Sequence, residues 1–497
     1  VTASLSLAFL REYARRPLNV VLLLVVPVVF VTLPAGVIVD FAEILGSLAD
    51  LGSLEAATAG WAAGILAGVG GFFQVVGSRQ ADRRLAAAGS GTWPVVTARL
   101  VAGLALAVVA TAGSLIALQL RAGITDVPRT VAVTLMFALI YLGIGAAVGA
   151  VVRDELNGSL IVVFIWMFDM FLGPGFSGGS NTFVRIFPTH FPTLLLLRLD
   201  SGHSTALTDL VISAGWTIGS LALAVVLLVR TTRPFTPNHV ARLPGGLSRS
   251  ATALRYGFRQ YRRNVVMWIL LAGLPVAFIT LSFSVTPQQP AAVELVESGR
   301  TAISIVSMVD LHGAIMAPIT IAFLSGITGL FVVLGSAQAD RRLVHAGFRT
   351  TEVLLARLGV IVAAALAITA ISLAVTAVDF IPRAWAPVIV ANVLVALTYG
   401  MLGVTIGMLA GRLGGLYLIL TLPFIDVGIA QNVMFDAAPP TWAQYMPSHG
   451  AIRVLVDGAF TPTFDQTGQL LLGLAWLAAA TAVAVAVFHR LARPART

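Results

Sequence analysis

The chain has no cysteine, and none of its 31 basic residues is a lysine. Without cysteine there are no disulfides, thiolate metal sites or cysteine nucleophiles. Without lysine there is no Schiff-base chemistry and no Walker A loop, whose lysine sits on the β/γ-phosphates of a bound nucleotide. Charge is scarce as well. Only 11% of residues are Asp, Glu, Lys or Arg, against about 25% in soluble domains. No HExxH or EF-hand loop occurs along the 497 residues. No catalytic set emerges, so the chain is not expected to be an enzyme.

What the sequence does contain is apolar: 58% hydrophobic residues and a mean hydropathy of +0.93. No soluble core buries that much apolar surface, so the solvent is lipid. Apolar runs of roughly 20 residues cross a bilayer as helices. Six are predicted in the first half, at 17–39, 58–77, 100–120, 130–152, 159–172 and 207–229. Six more are predicted in the second, at 264–284, 313–334, 358–378, 387–410, 414–431 and 467–488. The first run is too long for a signal-peptide core and lacks a small-x-small cleavage site, so it is expected to be a span. The fifth run of each half is short. An apolar stretch follows it, 173–204 and 432–466, that suits a re-entrant helix.

With the N-terminus in the cytoplasm, the inside segments hold 24 arginines and the outside segments 7. The positive-inside rule therefore predicts cytoplasmic termini and residence in the cell membrane. It also assigns the net charge of +9 to the lipid surface rather than to nucleic acid. Both halves begin and end inside, so the expected fold is an all-α polytopic membrane protein of 12 transmembrane helices in two parallel six-helix repeats. The repeats are placed at 1–229 and 251–497, joined by a Pro-, Gly- and Arg-rich linker at 230–250.

The duplication is visible residue by residue. Gly77-Ser78-Arg79-Gln80-Ala81-Asp82-Arg83-Arg84-Leu85 returns 258 positions later as Gly335-Ser336-Ala337-Gln338-Ala339-Asp340-Arg341-Arg342-Leu343. Ala98-Arg99-Leu100 returns as Ala356-Arg357-Leu358, and Tyr141 as Tyr399. Between Gly77–Leu100 and Gly335–Leu358, 15 of 24 positions are identical. Arginine alone satisfies topology, so a shared Gln-Ala-Asp-Arg-Arg-Leu asks for a further role. A short helix over Asp82–Ala88 that ends at Gly89, and its twin over Asp340–Ala346 that ends at Gly347, suits docking of a cytoplasmic partner. Each half also opens on an amphipathic stretch: Leu5, Phe9 and Tyr13 against Arg11 and Arg15, then Leu254, Phe258 and Tyr261 against Arg255, Arg259 and Arg262. That pattern is expected of a helix lying in the membrane interface.

An interfacial helix, an Asp-Arg loop between spans two and three, six spans per half and a re-entrant region before span six together resemble the permease subunit of ATP-binding-cassette exporters of the second permease type. The human G-subfamily lipid and drug pumps share that architecture. The resemblance covers the chain twice. It implies a coupling helix at Asp82, Arg83 and Arg84 and at Asp340, Arg341 and Arg342, seated on a separate ATPase subunit. Two ATPase copies are expected, holding the ATP and Mg, with no cofactor on this chain. The implied cargo is a hydrophobic or amphiphilic molecule, such as a drug, antibiotic or lipid. Leu85-Ala86 and Leu343-Val344 stand where that family often has Gly-Thr.

The resemblance also implies that spans two and five line the pathway, which draws in Phe73, Gln74 and Phe331 and the crowded run Phe164, Trp166, Met167, Phe168. Two acids, Asp169 and Asp426, fall inside span five of each half. Charge at membrane depth faces a cavity or a partner, so they either meet a cationic substrate group or cap the re-entrant helices. Pro188-Thr189-His190 recurs as Pro447-Ser448-His449, with Asp200 and Asp457 following. That repeat reads as a structural turn, since too few ligands stand near for a metal. Small-residue pairs such as Gly143 with Ala147 and Gly145 with Gly149 predict close helix packing. The alternative function is a secondary transporter of the major facilitator class, which also has twelve spans and a Gly…Asp-Arg loop. Its loop has different spacing, a second glycine missing here and about half the length.

Overall fold

The structure is a computed structural model, and it describes residues 2–15, 17–32, 51–177, 185–197, 204–232, 265–297, 299–345 and 350–492. The chain divides into two compact units, Val1–Arg242 and Leu243–Thr497.

The first unit runs α1 (Thr2–Ala14), α2 (Pro17–Thr32), α3 (Leu51–Val76), α4 (Arg79–Leu85), α5 (Thr92–Arg121), α6 (Val127–Val151), α7 (Glu155–Leu172), α8 (His190–Leu197) and α9 (Ala206–Thr232). Helix starts follow local chemistry. Asp126 accepts from the Arg129 N–H ahead of α6, with Pro128 in the first turn, and Asp154 accepts from the Asn157 N–H ahead of α7. That cap is why α7 begins at Glu155, four residues before the predicted fifth run, and reaches 18 residues.

The second unit runs α10 (Val265–Val285), a hairpin of β1 (Pro290–Glu297) and β2 (Arg300–Ser307), α11 (Met308–His345), α12 (Thr350–Asp379), α13 (Trp385–Ile425), α14 (His449–Phe460) and α15 (Thr467–Ala492). The hairpin is a local departure in a mostly helical chain that agrees with the all-α expectation. The strands pair antiparallel from Pro290 opposite Ser307 to Glu297 opposite Arg300. They are rich in β-branched residues, and Gly299 stands in the turn at a φ of 75°. Glu294 fastens the hairpin, donating its N–H to the Ala437 carbonyl and pairing with Arg453 of α14 at 2.7 Å. Helix α13 joins the two predicted spans 387–410 and 414–431 and turns at Gly411, whose φ of 70° suits glycine.

Nine helices among the described residues are long and apolar enough to cross a membrane; α2, and the apolar stretch Trp268–Phe283 of α10, are shorter. This is a multi-pass membrane protein. Each unit has the same spine. In the first, α3 lies against α6, and a Cβ on Gly145 would overlap the Gly68 carbonyl; in the second, α11 lies against α13, and a Cβ on Gly403 would overlap the Gly326 carbonyl. Both glycine pairs are related by the 258-residue offset. Lipid tails supply no hydrophobic drive between helices, so backbone contact of this kind supplies the packing energy. Helices α8 and α14 are too short to cross; every residue of α8 is buried. The amphipathic stretch at Leu254–Arg262 and most of the linker lie outside the described residues.

Candidate functional site: two carboxylate clamps in each unit

The first clamp fixes the repeated loop. Asp82 of α4 is 4% exposed and Arg99 of α5 is 7% exposed. The guanidinium grips the carboxylate with two nitrogens, Nη2 to Oδ1 at 2.8 Å and Nε to Oδ2 at 3.0 Å. The Ser78 hydroxyl donates to Asp82 Oδ2 at 3.0 Å, and the Gln74 amide donates to the Arg99 carbonyl at 3.1 Å. The ring of Phe9, on α1, lies 3.5 Å over the guanidinium carbon. Leu5 and Phe9 pack on Ala98, Ala102 and Leu85, so the apolar face of α1 rests on α5 and the loop. The second unit repeats the arrangement. Arg357 Nη2 meets Asp340 Oδ1 at 2.7 Å, and the Ser336 hydroxyl donates to Asp340 Oδ2 at 3.0 Å.

Two further arginines bind the loop helix to helix ends. Arg79 donates to the Gly149 carbonyl and, at 3.5 Å, to that of Val152, at the close of α6. Arg83 donates to the Thr231 carbonyl at 2.6 Å, at the close of α9. Helix C-termini hold unpaired carbonyls and partial negative charge, which suits a guanidinium. Burial first, then the charges of Arg83 and Arg153, press the Arg79 guanidinium below its ordinary pKa. Four helices thus meet on α4: α1, α5, α6 and α9. Of the sequence-chosen loop residues, Asp82 and Asp340 point inward, Arg83 is half-buried and Arg84 is exposed. The side chains of Arg341 and Arg342 lie outside the described residues. The exposed residues of the first loop include Gln80, Ala81, Arg84, Ala87 and Ala88. The loop helix is also differently bounded from expectation. It starts at Arg79 and gives way at Ala86 to a wider turn through Gly89, at a φ of 100°, while the second copy continues α11 unbroken to His345.

The second clamp lies at the crossing of spans four and five. Tyr141 of α6 donates its hydroxyl to Asp169 of α7 at 2.5 Å, and the Thr189 N–H, just ahead of α8, donates to both carboxylate oxygens at 3.1 Å. In the second unit Tyr399 donates to Asp426 at 2.7 Å, with the Ser448 N–H at 3.0 Å and its hydroxyl at 2.6 Å. Each carboxylate accepts the backbone N–H of the residue just ahead of a short helix, Thr189 before α8 and Ser448 before α14. The repeats that the sequence displays separately, Tyr141/Tyr399, Asp169/Asp426 and Thr189/Ser448, therefore converge in one motif. His449 is bonded to Gln431 at 3.0 Å. Asp457 accepts from Thr461 and from the Asp465 N–H, joining α14 to the approach of α15. Asp200 lies outside the described residues. Among the described residues no group of three metal-type side chains assembles.

The aromatic candidates divide. Trp166 is buried, donates to the Trp61 carbonyl at 2.9 Å and meets Phe30 edge-on at 5.7 Å. Phe331 is buried too, whereas Phe73, Gln74 and Phe168 are half-buried. Sequence reasoning gave Arg99 and Arg357 no role, although their recurrence at the loop's own offset was the available signal.

The fold and clamps describe a duplicated helical membrane protein whose repeated polar loop is locked to its spans. Residues 77–230 match the family described as ABC-2 family transporter protein. The match opens on the loop glycine, closes at the end of α9 and supports a permease of the ABC-2 type. No curated protein gave a significant match to the chain.

Proposed function

We propose that this chain is the membrane permease of an ATP-binding-cassette exporter, carrying a hydrophobic or amphiphilic molecule out of the cell. The observation that carries the reading is the pair of loop clamps, Asp82–Arg99 and Asp340–Arg357. A loop held at so many points moves with its helices, so a push on its exposed face is delivered to α5, α6 and α9 together. The match over residues 77–230 and the absence of lysine support a motor on another chain. In this reading the loop end is cytoplasmic, as the arginine distribution predicts. One ATPase copy sits beneath each loop, and ATP-driven closure of the pair pushes on the loops and, through them, on the helices they are clamped to.

The docking face is Gln80, Arg84, Ala87 and Ala88, while Asp82 and Arg83 hold the loop in position. Phe73 and Phe168, half-buried and aromatic, are the pathway residues with surface to offer a greasy cargo. Asp169 and Asp426 act as architectural ties, their oxygens already engaged by Tyr141 and Thr189 and by Tyr399 and Ser448. The test is co-purification with an ABC ATPase subunit expressed alongside it, followed by transport in vesicles. ATP-dependent efflux that needs the partner is expected. Transport by the chain alone on a proton or sodium gradient overturns the proposal in favour of a facilitator.

A further inference from the structure

In the first unit, arginines gather where α4 meets the ends of two spans. Arg79 and Arg83 stand one turn apart on α4, with about 5–6 Å between their Cβ atoms. Arg79 donates to the Val152 carbonyl, one residue before Arg153. Arg83 donates to the Thr231 carbonyl, one residue after Arg230. The corner therefore lies where α6 and α9, both long enough to cross a membrane, come to an end. Counter-charge is short there. Asp82 is taken by Arg99, Asp154 caps α7, and Glu155 is the acid of that helix's first turn. None of the four arginines pairs with a carboxylate among the described residues. Arg153 and Arg230 are exposed and have no hydrogen-bonding partner there. The Arg79 Nε is buried and unpartnered. Burial, then the charges of Arg83 and Arg153, already hold that guanidinium below its ordinary pKa. Helix C-termini offset such charge only in part, so the corner draws an anion.

The second copy does not repeat the corner. At the 258-residue offset Ala337 stands for Arg79 and Gly411 for Arg153. Topology alone does not ask for this asymmetry. The surface leading up to the arginines says which anion fits. Helix α9 exposes Gly219, Leu223, Val226 and Arg230 at spacings that share one helical face. Nothing lies within 4 Å of a Cβ placed on Gly219. Val151, two residues before Arg153 at the end of α6, is exposed as well. An apolar stripe that ends in an exposed guanidinium matches a molecule with a tail in the bilayer and an anionic head at its surface. An acidic protein surface would meet the arginines but leave the stripe unused. The arginine distribution predicts the cytoplasmic leaflet for this end, the leaflet rich in anionic lipid.

We propose that the corner formed by Arg79, Arg83, Arg153 and Arg230 binds the phosphate of an anionic phospholipid, whose tail lies along the exposed stripe of α9. The inference does not depend on the transport reading. It is tested on the full chain in a non-ionic detergent, by thermal unfolding with dioctanoyl phosphatidylglycerol, dioctanoyl phosphatidylcholine or inorganic phosphate. Phosphatidylglycerol is expected to raise the unfolding temperature saturably, and the other two are not. Arg153→Gln and Arg230→Gln remove exposed, unpartnered side chains and should fold as the original does. Each should weaken the apparent affinity for phosphatidylglycerol about fivefold, since a basic residue near an anionic surface contributes about 1 kcal/mol. Arg490→Gln, in the last turn of α15 as Arg230 is in the last turn of α9, should leave that affinity unchanged. An equal rise with phosphatidylcholine reduces the effect to the acyl tails, and an equal rise with inorganic phosphate makes this a free-phosphate site; either overturns the proposal. So does an equal loss in Arg490→Gln, which means a diffuse positive surface, or no response to phosphatidylglycerol, or full affinity in both Arg153→Gln and Arg230→Gln.

Discussion

Asp82 and Arg99, 17 residues apart in sequence, meet in a buried two-pronged ion pair, and Asp340 and Arg357 meet in the same way at the same separation. The pair joins a polar loop to the start of a span, and Phe9 covers it from a third helix. Removing one member of a buried pair leaves the other charged and unpaired, at a cost of about 3–5 kcal/mol. Arg99→Ala is therefore expected to lower the unfolding temperature sharply, and Asp82→Asn, which keeps an oxygen acceptor, to lower it less. In a double-mutant cycle, Asp82→Asn combined with Arg99→Gln should cost less than the sum of the two single changes. Strict additivity would mean that the two side chains are not coupled.

The glycine spine makes an independent prediction. A methyl group on Gly145 would overlap the Gly68 carbonyl, and one on Gly403 the Gly326 carbonyl, so the helices must separate to accept it. Overpacking of this kind costs about 1–3 kcal/mol. Gly145→Ala and Gly403→Ala should each destabilise the folded protein. Gly215→Ala and Gly219→Ala, on the open face of α9 where nothing lies within 4 Å, should be neutral or mildly stabilising. Thermal unfolding monitored by exposure of buried tryptophan checks both pairs.

The spans were legible because lipid imposes a simple pattern, and most predicted runs fall on observed helices. The ends were not. Asp154, outside every predicted apolar run, is the N-cap that starts α7 early. The hairpin β1–β2 was invisible to a search for apolar runs, since Pro290–Ser307 alternates small, charged and β-branched residues. Within the site, the repeat marked which residues matter but not what they touch. Asp82 and Arg84 look equivalent in Asp-Arg-Arg, yet 100° per residue sends one inward and the other to the surface. Tyr141 and Asp169 come from two different helices and Thr189 from the turn ahead of a third, and only tertiary structure brings them together.

The Asp169 clamp separates an architectural role from a binding one. Asp169→Ala strands the Tyr141 hydroxyl and the Thr189 N–H, each at about 1–3 kcal/mol, and frees α8 from α7. Loss of stability is expected, with Tyr141→Phe milder because the carboxylate keeps its backbone donor. Asp426→Ala and Tyr399→Phe should behave alike in the second unit. Among variants that fold, the affinity for a cationic substrate should remain within about twofold of the original, since a change of one tenfold step is 1.4 kcal/mol. A large affinity loss with unchanged stability would assign the carboxylates to the cargo instead.

The loop itself offers the sharpest separation of holding from docking. Arg83 donates to the Thr231 carbonyl and is half-buried, whereas Arg84, one residue on, is exposed beside Gln80 and Ala88. Arg83→Ala should lower stability by about 1 kcal/mol, toward the lower end for a charged hydrogen bond because the group is partly solvated. Arg84→Glu should leave the unfolding temperature unchanged and weaken binding of the ATPase subunit about tenfold, because a charge reversed at an interface sets like against like. Salt should weaken the original contact but not the buried Asp82–Arg99 pair, which screening scarcely reaches. Titrating the purified ATPase against immobilised permease at low and high ionic strength measures both effects. If Arg84→Glu binds as tightly as the original while Arg83→Ala does not, the docking face lies elsewhere on the loop.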